Sequence, residues 1–278
     1  MIGAIAGDII GSRFEFQNYK FKDFKFFTEE NRFTDDTVMT CAVSESLMRS
    51  WSKDKFETLS EVAIDTMHEI GVWYPDCGFG GSFFQWMYTK PKFCRPYNSC
   101  GNGSAMRISP VADIARDTQE AADLAYQVTA ITHNHPEGIK GAEAVAVASV
   151  MARDGKNKDE IKKYIEDRYY DLSMTVEDWR DATMGHGREI CQIAVPQAFA
   201  CFFEGDSYRN VIRNCIYTGG DSDTVAAIAG GIAEQYYGIP RKVANDAMTY
   251  LNDELYEITQ RWRAFRIATN GIKGMEII

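Results

Sequence analysis

Two short acidic clusters of similar composition lie almost two hundred residues apart in the chain. One is the Thr-Asp-Asp-Thr stretch at residues 34–37, and the other is the Gly-Gly-Asp-Ser-Asp-Thr stretch at residues 219–224. Carboxylate and hydroxyl oxygens are hard ligands that suit Mg²⁺, Mn²⁺ or Ca²⁺, whereas Zn²⁺ typically recruits His or Cys. Four Asp side chains brought together carry about four negative charges, which two divalent cations would balance. The clusters therefore predict a two-ion site assembled from both ends of the fold.

The same residues also fit the simpler role of helix N-caps. Each cluster opens an apolar stretch that is typical of a helix, and an oxygen at that position accepts from free backbone N–H groups. A cap needs one Asp, however, and each cluster supplies two, Asp35 with Asp36 and Asp221 with Asp223. Residues at i,i+1 or i,i+2 do not share a face of a regular helix. Both pairs must therefore spread around a helix start, and together the clusters favour metal binding.

Composition and charge limit the class of protein. The 278 residues are 45% hydrophobic and 13% aromatic, which is enough for a large core. The net charge of −10 repels phosphate backbones, so nonspecific nucleic-acid binding is not expected. The seven cysteines form no CxxC pair and several lie in apolar runs, as reduced core thiols do.

No targeting or membrane signal is evident in the printed sequence. Residues 1–8 lack a basic leader, and Asp8 interrupts their apolar run before a signal-peptide core is complete. No apolar run approaches the roughly eighteen residues that a membrane span needs. The expectation is a soluble, cytoplasmic, monomeric protein.

Hydrophobic periodicity predicts helices along most of the chain. Ranges with apolar residues at helical steps are 35–50, 57–70, 119–132, 137–153, 158–167, 194–203, 207–217, 223–236 and 243–265. The range 137–153 is apolar on nearly every face, which predicts a buried helix at the centre of the fold. No segment alternates with period two, and no linker divides the chain. We therefore predict a single compact all-α domain over residues 1–278, a multi-helix orthogonal bundle.

Two glycine-rich loops and a histidine pair are further candidates for binding. Residues 78–82 and 99–107 carry glycines where backbone N–H groups could approach a phosphate, although an ordinary turn explains either loop alone. Neither loop has the P-loop pattern. His133 and His135 lie in a short polar segment, where binding roles concentrate. His68 and His186 are interpreted as structural.

These stretches carry a resemblance to the ADP-ribosylglycohydrolase family, the dinitrogenase reductase-activating glycohydrolase type. The matching segments run from end to end of the chain: residues 7–15, 34–37, 101–107, 132–133, 141–142 and 219–230. Two departures stand out. Ser222 replaces a commoner Thr, and Cys100 stands where some relatives place an aromatic residue.

The resemblance implies an all-α fold, a two-magnesium or two-manganese site and a specific set of residues. The implied metal ligands are Thr34, Asp35, Asp36, Asp221, Asp223 and Thr224. Glu15 would lie on a mobile loop at the mouth of the site. The first candidate for a general base is Asp36, and the other catalytic candidates are Glu15 and Asp35. The implied substrate-binding residues are Gly80, Gly81, Ser82, Ser99, Cys100, Gly101, Asn102, Gly103 and His133.

The resemblance also implies the reaction. The bond cleaved joins C1 of a ribose to an acceptor, through a transition state that resembles an oxocarbenium ion. Two ions about 3.5–4 Å apart can hold the ribose hydroxyls and activate water. The substrate would be an ADP-ribosylated protein or small molecule, with arginine as the default acceptor and ADP-ribose as the product. The alternatives are a catalytically retired, crystallin-like protein, which predicts lost ligands, and another metal-dependent glycosidase or phosphohydrolase on the same scaffold.

Overall fold

Helices make up about two thirds of the described chain. The computed structural model describes residues 1–17, 19–52, 55–182 and 189–270. Its first helices are α1 (Ile2–Gly11), α2 (Asp35–Ser50), α3 (Leu59–Gly71), α4 (Gly81–Met87), α5 (Gly103–Met106), α6 (Ser109–Ile114), α7 (Thr118–Thr129) and α8 (Pro136–Arg153). Then follow α9 (Lys158–Arg168), α10 (Val176–Ala182), α11 (Cys191–Glu204), α12 (Tyr208–Thr218), α13 (Ser222–Tyr237), α14 (Arg241–Met248) and α15 (Asp253–Asn270).

The all-α prediction is confirmed. Within the described ranges, β-structure is limited to two isolated bridges, Ser52 with Lys55 and Gly101 with Ile190, and a single 3-10 turn covers Pro91–Phe93. None of the helices in this part of the chain is long and apolar enough to cross a bilayer.

Helix α8 is the predicted central helix. Its residues from Ala144 to Ala152 are all buried, and it packs against α5, α6, α7, α9, α11 and α13. Because Ala, Val and Ser dominate this stretch, neighbouring helices can approach it from all sides without leaving voids.

Helices α1 and α13 cross at short distance, and this crossing positions the acidic residues. A Cβ atom added at Gly7 would lie 2.0 Å from the carbonyl oxygen of Ala226, and one at Gly11 would lie 2.5 Å from the Cα of Asp223. Only glycine allows the two backbones to come this close. The contact at Gly11 places the last turn of α1, which carries Asp8, beside the start of α13, which carries Asp223.

Gly7→Ala is expected to destabilise the fold by about 3 kcal/mol or more, because the added methyl group meets rigid backbone and must push two helices apart. Gly81→Ala is the matched control, since a Cβ at Gly81 meets no atom within 4 Å. Thermal or urea unfolding of both variants measures the difference. Equal stability of the two variants would contradict the close crossing.

Most predicted helices agree with the structure to within three residues at each end, but the range 243–265 is wrong. Two helices, α14 and α15, replace it. The side-chain oxygen of Asn252 accepts from the N–H of Leu255 at 3.1 Å and starts a new helix there. The pattern of apolar residues continues across this break, so hydrophobic periodicity alone predicts one helix where the structure has two.

Candidate metal centre and substrate cavity

A cavity of about 410 Å³ opens where the N-termini of α2, α4, α5 and α13 converge. Both acidic clusters and both glycine-rich loops contribute to its wall. Its lining comprises Glu15, Asp35, Asp36, Met39, Gly78, Phe79, Gly80, Gly81, Ser82, Phe83, Tyr97, Ser99, Gly101, Asn102, Gly103, Met106, Arg107, His133, Glu189, Asp221, Asp223 and Thr224.

Asp8 binds the start of α2 at the acidic end of this cavity. It is fully buried on α1, and its carboxylate accepts from the N–H of Thr34 at 3.0 Å and from the N–H of Thr37 at 3.1 Å. It also accepts from the hydroxyl of Thr34 at 2.7 Å and from the hydroxyl of Thr37. Asp8 therefore caps α2 from another helix, and Thr34 makes no side-chain cap of its own. This leaves Asp35 and Asp36 free of the capping role.

Asp36 has one carboxylate oxygen in a hydrogen-bond network and one without a partner. Its Oδ2 lies 3.2 Å from the hydroxyl of Thr34 and 3.2 Å from the hydroxyl of Thr224. Its Oδ1 is buried and has no hydrogen-bond partner among the described residues. A buried anionic oxygen left in this way is costly unless a cation or a donor meets it.

Two trios of carboxylates share Asp223. In the first trio, oxygens of Asp8, Asp36 and Asp223 all lie within 4.8 Å of one another. In the second trio, oxygens of Glu15, Asp221 and Asp223 do the same. Asp35 belongs to neither trio and faces the cavity instead. The amide of Asn102 donates to Asp221 Oδ2 at 2.6 Å, which ties the second trio to the glycine loop.

Burial and mutual repulsion make these carboxylates unusually basic. Burial raises the pKa of Asp36 and of Asp223 well above the ordinary range, and neighbouring carboxylates add to the effect. Burial and then the charge of Asp221 raise the pKa of Glu15 to about 7. Burial and then the charge of Asp8 raise the pKa of Asp35 to about 8. The cluster is therefore poorly tolerated as a set of bare anions.

Eight of the nine predicted substrate-binding residues line the cavity, and Cys100 does not. The carbonyl of Cys100 accepts from the N–H of Cys191 at 2.9 Å, which directs this residue toward α11. Two N–H groups of the same loop are also used within the protein: that of Gly101 donates to Ser99 Oγ and that of Asn102 to the carbonyl of Glu189. The loop therefore offers fewer backbone donors to a ligand than its sequence suggests.

The predicted structural histidine His68 is tied to backbone carbonyls. Its Nδ1 lies 2.7 Å from the carbonyl of Ile64, and its Nε2 lies 2.9 Å from that of Thr89. His68 thus joins α3 to the end of α4. His186 lies outside the described residues.

Several residues of the site were not predicted from the sequence. Asp8 carried a usable signal, since it is the only charged residue in an otherwise apolar helix, and a charge there is rarely buried without a purpose. Glu189 and Arg107 reach the cavity only through tertiary packing, and neither residue type has a spacing that would single it out.

Comparison with known proteins decides the family. The family model for ADP-ribosylglycohydrolase matches residues 1–268. The chain belongs to the ADP-ribosylglycohydrolase family. This membership supports glycohydrolase activity. The family is the one that the sequence motifs resemble.

Relatives and solved structures agree with this assignment. ADP-ribosylhydrolase ARH3 of Homo sapiens is 27% identical over 274 residues, covering 76% of this chain and 72% of that protein. ADP-ribosylhydrolase ARH3 of Danio rerio is 24% identical over 311 residues, covering 86% of this chain and 82% of that protein. A solved structure titled ADP-ribosylglycohydrolase-related protein complex superposes with a TM-score of 0.68 at 19% identity, covering 95% of this chain and 97% of that chain. At this identity the superposition shows a shared all-α fold.

Proposed function

We propose that this family member hydrolyses the glycosidic bond between C1 of the ribose in ADP-ribose and an acceptor side chain, and that it does so with two divalent cations, Mg²⁺ or Mn²⁺. The observation that carries the proposal is the pair of carboxylate trios that share Asp223 at the wall of the cavity. Oxygen ligands of this type suit hard cations.

The donor set fits two cations. Asp36 Oδ1 is a buried carboxylate oxygen with no hydrogen-bond partner among the described residues, and Asp36 belongs to the first trio. We assign Asp8, Asp36 and Asp223, with the hydroxyls of Thr34 and Thr224, to one cation. Glu15, Asp221 and Asp223 would hold the other. Such a pair supplies charge stabilisation and orients the ribose hydroxyls when it is bound.

Asp35 is the carboxylate that we propose for proton transfer. Asp36 is the first candidate that the resemblance implies, but its Oδ2 lies 3.2 Å from the hydroxyls of Thr34 and Thr224, and Asp36 belongs to a trio. Asp35 faces the cavity outside both trios. In the proposed reaction the C1–acceptor bond breaks, a water oxygen bonds to C1, and Asp35 takes the proton of that water and returns it to the leaving group.

The rest of the cavity would bind the remainder of ADP-ribose. Ser99, Gly103 and His133 line the wall beside the second trio, where the diphosphate would follow the ribose. Gly80 and Gly81 leave their part of the wall open, since a Cβ at either position meets nothing within 4 Å. The acceptor side chain would lie at the rim, and arginine is the acceptor that we propose first.

The proposal is tested by incubating the protein with ADP-ribosyl-arginine, an ADP-ribosyl-serine peptide and O-acetyl-ADP-ribose, each with Mg²⁺, with Mn²⁺ or with EDTA. Chromatography of the products is expected to show free ADP-ribose from at least one substrate in the presence of metal, and none in EDTA. Release from ADP-ribosyl-arginine alone would establish the acceptor.

The other functional classes predict different products. A phosphohydrolase on this scaffold would cleave the diphosphate and release AMP. A retired, crystallin-like protein would bind ADP-ribose in calorimetry without releasing product from any substrate. None of the six implied metal ligands is replaced in this sequence, which favours an active enzyme.

A further inference from the structure

Behind the cavity, a buried arginine, a threonine and a histidine form a chain of hydrogen bonds. Nη2 of Arg107 donates to Oγ1 of Thr132 at 2.8 Å, and Oγ1 of Thr132 lies 2.8 Å from Nδ1 of His133. All three residues are buried, and Arg107 and His133 line the cavity. The three side chains lie outside both carboxylate trios.

The direction of each hydrogen bond in this chain is inferred from the available donors and acceptors and from their distances. Arg107 can only donate, so one lone pair of the Thr132 hydroxyl accepts from it. The hydroxyl proton then has two possible acceptors, Nδ1 of His133 at 2.8 Å and the carbonyl of Thr129 at 3.3 Å.

The carbonyl of Thr129 is the weaker acceptor because its two lone pairs are already in use. It accepts from the N–H of His133 at 2.8 Å and from the N–H of Thr132 at 3.1 Å. The shorter distance and the unused lone pair of Nδ1 therefore favour donation of the Thr132 hydroxyl proton to His133. With Nδ1 as an acceptor, a neutral ring carries its proton on Nε2.

We propose that Thr132, held by Arg107, is a positioning residue that fixes His133 as a neutral Nε2–H tautomer whose N–H serves as a hydrogen-bond donor to the ligand in the cavity. The ring edge that carries Nε2 faces the glycine loop, since a Cβ added at Gly103 would lie 3.2 Å from it and one at Gly101 would lie 3.4 Å from it. Burial and the nearby charge of Arg107 hold the pKa of His133 well below its ordinary value, which keeps the ring uncharged. The ligand contact rests on the proposed function, whereas the tautomer does not.

The tautomer is measured on the ligand-free protein by ¹⁵N NMR with labelled histidine, and the chain has only four histidines to assign. The spectrum at neutral pH is expected to show His133 protonated on Nε2 and bare on Nδ1. Thr132→Ser keeps the hydroxyl and should keep this signature. Thr132→Val removes it, so the ring should populate both tautomers. Wild-type protein with an Nδ1–H or doubly protonated His133 would overturn the proposal.

Thr129→Val is the matched control, because Thr129 is buried on the same turn and its hydroxyl has no partner among the described residues. It should leave the His133 signature unchanged even if it lowers stability. Thr132→Val with the wild-type spectrum would show that the hydroxyl does not set the tautomer. Added ADP-ribose should shift the Nε2 resonance of the wild type, and an unmoved resonance would refute the ligand contact. A confirmed tautomer in a protein that hydrolyses no ADP-ribosyl substrate would reject the proposed function alone.

Discussion

Asp36→Asn is expected to lower turnover of an ADP-ribosylated substrate by at least about 10²–10³-fold, the loss that follows removal of one preorganised electrostatic group from an active site. The substitution conserves volume and removes a charge. Asp36 Oδ1 is a buried oxygen with no partner among the described residues, so an amide would remove the negative charge at this position without leaving a cavity. Initial rates with saturating Mg²⁺ measure the effect.

The melting temperature of the variant distinguishes a loss of catalysis from misfolding. Because burial and neighbouring carboxylates raise the pKa of Asp36, its charge opposes folding when no cation is present. The metal-free Asp36→Asn protein should therefore melt no lower than the metal-free wild type. Asp65→Asn makes the same substitution on an exposed face of α3 and should keep full activity. An active Asp36→Asn protein would remove Asp36 from the site.

Glu15→Gln tests the division between the two trios. Glu15 belongs only to the trio with Asp221 and Asp223, so the group of Asp8, Asp36 and Asp223 stays intact in this variant. Calorimetry should then show one cation bound as in the wild type and the other weakened. If Glu15→Gln lost both cations as completely as Asp36→Asn, the assignment of Glu15 to a separate position would be wrong.

The sequence indicated the helical class and the two acidic clusters because both signals are local. Residues 35–50 were predicted as a helix with the observed bounds, and α8 was recognised from its small apolar residues. The cluster at 219–224 was placed at a helix start, and α13 begins at Ser222. A run of residue types at fixed spacing is sufficient for inferences of this kind.

Long-range packing accounts for what was missed. Gly3, Gly7 and Gly11 lower the intrinsic helix propensity of α1, and the helix is stabilised by the backbone of α13, more than two hundred residues away. Asp8 was not assigned as a candidate ligand because its partners, Thr34 and Thr37, lie on another helix. The chain of hydrogen bonds from Arg107 through Thr132 to His133 likewise depends on how α5 approaches the end of α7. No spacing in the sequence reveals this approach.

Removal of metal is expected to lower the melting temperature, and more strongly at alkaline pH. A cation at about 100 times its dissociation constant stabilises the native state by about 2.7 kcal/mol, or about 5–10 °C for a chain of this size. Scanning calorimetry with EDTA, and then with millimolar Mg²⁺ or Mn²⁺, measures the shift. No shift with either metal would count against the site as a whole.

The pH dependence follows from the direction of the pKa shifts. Folding raises the pKa of Glu15 from 4.5 to about 7 and that of Asp35 from 3.8 to about 8. Between about pH 4 and about pH 8 the metal-free native state therefore binds more protons than the unfolded chain. The free energy of unfolding then falls as the pH rises through this range. The metal-free protein should therefore melt higher at about pH 5 than at about pH 8, and Mg²⁺ should raise the melting temperature most at about pH 8. Asp35→Asn removes one of the raised groups and should flatten the metal-free profile. A metal-free protein that is most stable at about pH 8 would show that burial and mutual repulsion do not raise the pKa of these carboxylates.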